Sequence, residues 1–133
     1  MVMTGGEISG NTAGDTAGGA YISSGTTFTM EGGKISGNTA KTGGAIRMYK
    51  STVNLKAGQV TGNKATSNCG GVYVTYTEST LNLMGGEISK NVSGSNAGGV
   101  LVENKATMNF SSGKVTGNVA KSGGGGIYII YLR

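Results

Sequence analysis

The chain has no proline, no histidine and a single cysteine, and only 13% of its 133 residues are charged and 6% aromatic. Each shortage closes a route. One cysteine, Cys69, excludes an internal disulfide. Its counterparts in the repeat described below, Ala17 and Ala97, are small, so Cys69 reads as a buried small residue. Without histidine, acid–base or metal chemistry falls to the six carboxylates, and no cofactor is expected. No stretch is long and apolar enough to span a bilayer, so membrane insertion is not expected. Met1-Val2-Met3-Thr4 lacks the charged region and apolar core of a signal peptide. The chain is therefore expected to be a mature form or an excised piece of something longer.

Eleven cations against six acids leave a formal charge of +5. A nucleic-acid partner would call for clustered Lys and Arg. Along this sequence they are dispersed with the acids among them, and no nucleic acid is expected.

What the chain has in quantity is glycine, 27 residues of it, and the glycines keep register. An apolar-x-x-Asn element recurs at Ile8 to Asn11, Ile35 to Asn38, Val60 to Asn63, Ile88 to Asn91 and Val115 to Asn118, with a glycine pair downstream each time. Such recurrence is the mark of a solenoid, in which each repeat buries its apolar face against its neighbours. The coils run 1–27, 28–52, 53–80, 81–107 and 108–133, a single domain of five coils 25 to 28 residues long. The glycines read as turn positions needing positive φ.

Three strand signals appear in each coil. The first alternates inward and outward, as in Phe28-Thr29-Met30 and Leu81-Asn82-Leu83. The second, as in Lys34-Ile35-Ser36, has one inward aliphatic between two outward polar residues. The third follows the glycine pair, as in Val72-Tyr73-Val74. In coil two the alternation sets Ile46 and Met48 inside and Arg47 outside, with Ala45 in place of the second glycine. No segment has a helical apolar period. Identical consecutive repeats are most simply met by strands lying parallel to their counterparts one coil away, giving an all-β parallel β-helix, or β-solenoid, with three faces. At roughly 4.8 Å per coil the stack would be about 24 Å tall.

Two ranks of side chains follow from that stacking. Asn11, Asn38, Asn63, Asn91 and Asn118 would form a ladder at one corner, each amide bonding to its neighbours above and below. Tyr21, Arg47, Tyr73, Leu101 and Tyr128 would line the exterior of the third face, with Tyr76 and Tyr131 nearby, a surface suited to a glycan or protein partner.

At these motifs the chain resembles the right-handed parallel β-helix repeats of bacterial surface and adhesin-like proteins, including the polymorphic outer-membrane proteins. Those carry Gly-Gly-Ala-aliphatic and Phe-x-x-Asn signatures. Gly43-Gly44-Ala45-Ile46 matches the first and Gly18-Gly19-Ala20-Tyr21 nearly does. The second occurs here with Ile or Val in place of Phe. The resemblance implies an exported, fibrous or adhesive role at the cell surface or outside the cell, with no catalytic residue to carry over.

Other uses of the fold find little support. Polysaccharide lyases and hydrolases need carboxylates a few ångströms apart. Here Glu7 and Glu87 lie three coils apart, Asp15 is in a loop, and Glu31, Glu78 and Glu103 belong to other rows. Ice-binding faces need uncharged Thr ranks. The rank Ser9, Ser36, Thr61, Ser89, Thr116 is flanked by Glu7, Lys34, Gln59, Glu87, Lys114. The chain is therefore expected not to be an enzyme.

Neither end of this sequence is expected to form a cap, and the residues make a nearly whole number of coils, Met1 beginning coil one and Arg133 ending coil five. A second copy stacked on coil five would begin in phase. Met108 would meet Met1, Phe110 would meet Met3, Val115 would meet Ile8, and Lys114 would face Glu7, while Asn118 would carry the ladder on to Asn11. A heterologous contact of this kind generates an open filament when its rotation does not close. The sequence thus points to a structural, non-enzymatic solenoid stacking head to tail into an extracellular filament. The alternative is a fragment or stalk of a surface adhesin, binding through the Tyr/Arg face.

Overall fold

Coils two to five each open on a run that alternates apolar and polar residues, with a threonine just before it. The computed structural model, which describes residues 1–131, lays these runs side by side. Thr27–Met30, Thr52–Leu55, Thr80–Ser89 and Thr107–Thr116 are parallel strands in one register, Thr27 beside Thr52, Thr52 beside Thr80 and Thr80 beside Thr107. Val2–Met3 completes the row, Met3 pairing Met30, and the amino terminus donates to the Thr27 carbonyl at 2.9 Å. Leu132 and Arg133, the expected end of coil five, lie outside the described residues.

The architecture is all-β, with no helix among the described residues: three parallel sheets stacked as a β-solenoid of about five turns. Glu7–Ser9, Lys34–Ser36 and Gln59–Thr61 carry the second strand signal. In coils four and five it is continuous with the first, so both signals join one eight-stranded sheet bent at its glycines. Ala20–Ile22, Ile46–Tyr49, Val72–Thr75, Val100–Glu103 and Ile127–Ile130 form the five-stranded sheet expected after the glycine pair. The remaining sheet was not anticipated. It consists of two-residue strands directly after four of the five asparagines, Thr39–Ala40, Lys64–Ala65, Val92–Ser93 and Val119–Ala120.

Alternation delivers the core. Phe28, Met30, Ile35, Ile46 and Met48 from coil two stack under Val53, Leu55, Val60, Val72 and Val74 from coil three. Above those lie Leu81, Leu83, Ile88, Val100 and Val102. All are buried, and side chains of this kind contribute about 1.5–3 kcal/mol each when fully buried. The register of coil two is as expected: Arg47 lies beside Tyr73, with Ile46 and Met48 fully buried.

The expectation of positive φ holds for some of the glycines and not for others. At the turn before each asparagine, Gly10, Gly37, Gly62 and Gly117 have φ near 65°, a region in which coil four holds Lys90 at 56°. Gly18, Gly44, Gly70 and Gly98, downstream of the asparagines, have an ordinary φ and are required by close approach. A Cβ on Gly70 would lie 2.4 Å from the Val92 carbonyl oxygen of the next coil, inside any tolerable contact.

Candidate functional site

The asparagine ladder forms along its whole length. Asn38, Asn63 and Asn91 are fully buried, Asn118 is half-buried and Asn11 is exposed. The Nδ2 of each asparagine donates to the Oδ1 of the next: Asn11 to Asn38, Asn38 to Asn63, Asn63 to Asn91 and Asn91 to Asn118, all at 2.9–3.0 Å. The backbone N–H of each donates to the same oxygen. The second Nδ2 proton reaches back to the previous coil, from Asn38 to the Ile8 carbonyl, Asn63 to Ile35, Asn91 to Val60 and Asn118 to Ile88. Every interior amide therefore ties together three consecutive coils, and removing one leaves buried groups unpaired.

The ladder has a direction. Along the amide row each backbone N–H and Nδ2 donates to the Oδ1 of the following coil, and each Oδ1 accepts from the preceding one. Among the described residues Asn118 has no further Oδ1 to receive its N–H and Nδ2, and Asn11 has no earlier amide donating to its Oδ1. The apolar interior surfaces at the same end. Phe110, in register with the buried Leu83, is 49% exposed, and Ile129, in register with Val102, is 72% exposed. Met108 and Val115 are half-buried. At the other end Met1 is exposed, Met3 is buried and Ile8 is half-buried.

The charged row is aligned as expected, Glu7 beside Lys34, Lys34 beside Gln59, Gln59 beside Glu87 and Glu87 beside Lys114. Alignment does not make ion pairs of it. The one pair within 4 Å among the described residues is Lys56 with Glu31, both exposed, at 3.8 Å, a geometry worth little in water.

The Tyr/Arg rank also aligns: Tyr21 beside Arg47, Arg47 beside Tyr73, Tyr73 beside Leu101 and Leu101 beside Tyr128. It is not the open exterior face expected of it. Tyr73 is 8% and Leu101 1% exposed. The cause is the preceding loop. Cys69 and Ala97 adopt left-handed φ of 59° and 45°, which turns their side chains back across the sheet, where they pack with Tyr73 and Leu101 into a second apolar cluster. Tyr21 stays exposed at one end of the rank, and the Arg47 guanidinium stacks 4.4 Å from the centre of the Tyr73 ring.

Within this cluster the Tyr73 hydroxyl donates to Glu103, itself buried. Burial, then the hydrogen bond and charge of Glu103, push the Tyr73 phenol well above its ordinary range. Burial likewise pushes the Cys69 thiol up to about 12, so it stays protonated and inert. The Cys69 position is thus the small buried site expected, and its role is to cover Tyr73.

A second amide ladder runs outside the barrel. Asn109 Nδ2 donates to Asn82 Oδ1 and Asn82 Nδ2 to Asn54 Oδ1, each at 2.9 Å, and Asn54 reaches Thr29 Oγ1 at 3.3 Å. Its direction is opposite to that of the inner ladder. It ends at Thr29 in coil two, beside which coil one places Val2. The signal was in plain view, asparagine at one offset in three successive coils.

Among the described residues no three His, Cys, Asp or Glu side chains gather as a metal site would require. No helix is long and apolar enough to cross a membrane. A shallow cleft of about 120 Å³ opens at the coil-five end between Val102, Ala106, Ile129 and Tyr131. No family model, curated protein or solved structure matches the chain.

Proposed function

We propose that this chain is a non-enzymatic structural β-solenoid that stacks head to tail, coil five of one copy on coil one of the next, into an extracellular filament. The observation carrying this reading is the polarity of the inner ladder. Asn118 offers two donors at one end and Asn11 an acceptor at the other, in the relation that Asn91 and Asn118 have inside the chain. A stacked copy would restore every bond of the pattern, Asn118 to Asn11 and Asn11 Nδ2 to the Val115 carbonyl. Phe110 and Met108 would at the same time be covered by Met3 and Met1, and Val115 by Ile8. Apolar burial supplies affinity and the amides supply orientation.

Electron microscopy of the purified chain tests it. Fibres with an axial repeat of about 24 Å, five coils at 4.8 Å, are expected. Asn118→Asp keeps an acceptor for Asn91 and sets oxygen against the oxygen of Asn11, and should suppress them. Monodisperse single copies from the unmodified chain under all conditions would overturn the filament. The second reading, a module of a bacterial adhesin-like surface protein, would then stand. It draws on Tyr21, the exposed member of the Tyr/Arg rank, with the half-buried Arg47 beside it.

A further inference from the structure

The cations look dispersed along the sequence, and in space four of them follow one corner. The two-residue strands after the asparagines make a narrow sheet whose outward positions are Thr39, Lys64, Val92 and Val119, stacked in register. Lys64 lies on this strip in coil three. Lys41 and Lys121 directly follow it in coils two and five, and Lys90 stands at the turn one residue before it, across Asn91, in coil four. All four are exposed, so coils two to five each contribute one ammonium. Val92 and Val119, 41% and 57% exposed, leave apolar surface between them. No carboxylate pairs with any of the four within 4 Å among the described residues. The one acid on the corner is Asp15 in coil one, whose carbonyl accepts from the Lys41 N–H. Glu87 lies on the adjoining face.

We infer that this corner binds a linear anionic polysaccharide laid along the solenoid axis, its carboxylate or sulfate groups taken by Lys41, Lys64, Lys90 and Lys121 in turn. Coils about 4.8 Å apart set the four ammoniums along roughly 14 Å of axis, staggered to either side of the Lys64 position. Three features choose this ligand over a nucleic acid. Duplex DNA presents a charge about every 1.7 Å of axis, nearly three times denser than these cations. Single strands are held by stacking on aromatic rings, and no position of the strip is aromatic. All four cations are lysine, whose ammonium is a point charge without the flat fork that grips phosphate bidentately. Val92 and Val119 meanwhile offer small apolar patches against which the C–H faces of sugar rings can lie. Binding needs only one copy and does not depend on stacking.

The test compares labelled heparin and polygalacturonate with neutral dextran, poly(dT) and duplex DNA by fluorescence anisotropy at low and moderate salt. Both acidic polysaccharides should bind and weaken as salt rises, and dextran should not bind. K41Q/K64Q/K90Q/K121Q should lose about tenfold or more in affinity. K34Q/K50Q/K56Q/K105Q, which removes the same formal charge from other faces, should lose much less. Should the first variant lose its β-sheet circular dichroism, K41Q/K64Q and K90Q/K121Q carry the same comparison separately. Equal losses in the two fourfold variants would reduce the effect to net charge and overturn the inference. So would tighter binding of either nucleic acid, or no binding of either acidic polysaccharide.

Discussion

The molecule builds two asparagine ladders, one inside its corner and one on its outer face, and they are not equivalent. Asn38, Asn63 and Asn91 are fully buried and each bonds to side chain and backbone in both directions. Asn82 and Asn109 keep contact with water and bond along the row through their side chains. The same residue in the same periodic arrangement therefore does different work. The inner amides satisfy backbone groups that nothing else can reach, whereas the outer ones replace water with a neighbour, for which the net gain is small.

That contrast between inside and outside can be pressed at several positions. The largest effect is expected in coil two, where Ile46→Ala should destabilise by about 2–5 kcal/mol by opening a cavity. Its outward neighbour Arg47, half-buried against Tyr73 and changed to Ala, should lose only about 1 kcal/mol, the value of a cation–π stack. Thermal unfolding of both variants checks this, and the reverse ranking would refute the register. Next comes the ladder pair. Asn63→Ala should cost about 3 kcal/mol, since the Asn38 amide and the Ile35 carbonyl lose their partner in the interior. Asn11→Ala and Asn82→Ala should each cost under about 1 kcal/mol, and equal losses at all three would break the comparison.

The inside and outside of the sheet also differ in their response to base. Cys69 titrates higher folded than unfolded, so its stabilising contribution is complete below the unfolded-thiol value of about 8.5 and is lost as pH rises toward about 12. Cys69→Ala fits the backbone, as Ala17 and Ala97 show at left-handed φ. It should flatten the decline in melting temperature between about pH 9 and pH 11, while Tyr73 keeps its own share of that decline. The smallest effect is expected at the junction. Lys114→Glu should slow fibre growth only modestly at low salt, because the charged row makes no close pairs even inside the chain. Glu7→Lys in the same molecule should reverse it. A complete loss of fibres from Lys114→Glu would mean that charge, not the amide ladder, sets the contact.

The coil phase, the inner ladder and the inward residues were legible because they depend on side-chain identity recurring at a fixed offset. Met1, Phe28, Val53, Leu81 and Met108 could be aligned by eye. The narrow sheet was not legible, since Thr39–Ala40 is too short to show an alternation. The cover over Tyr73 and Leu101 was missed for another reason. Alternation says which side of a strand a residue faces, and it is silent on whether a loop returns over that side. The left-handed turn at Cys69 does return, and small residues at 69 and 97 ahead of bulky ones at 73 and 101 were the available hint. The outer ladder at Asn54, Asn82 and Asn109 had as plain a period as the inner one and was passed over because those positions face outward.

The inner ladder joins each coil only to the ones beside it, and no coil depends on its ordinal place in the stack. Copying one coil's worth of codons in tandem would insert a new layer whose asparagine, glycine pair and inward aliphatics find ready-made neighbours above and below. A gene of this kind can lengthen or shorten by unequal recombination without passing through an unfolded product, so long as the exchange occurs in phase. Misalignment by even one residue would send an asparagine's neighbour into the corner and leave buried backbone groups unpaired.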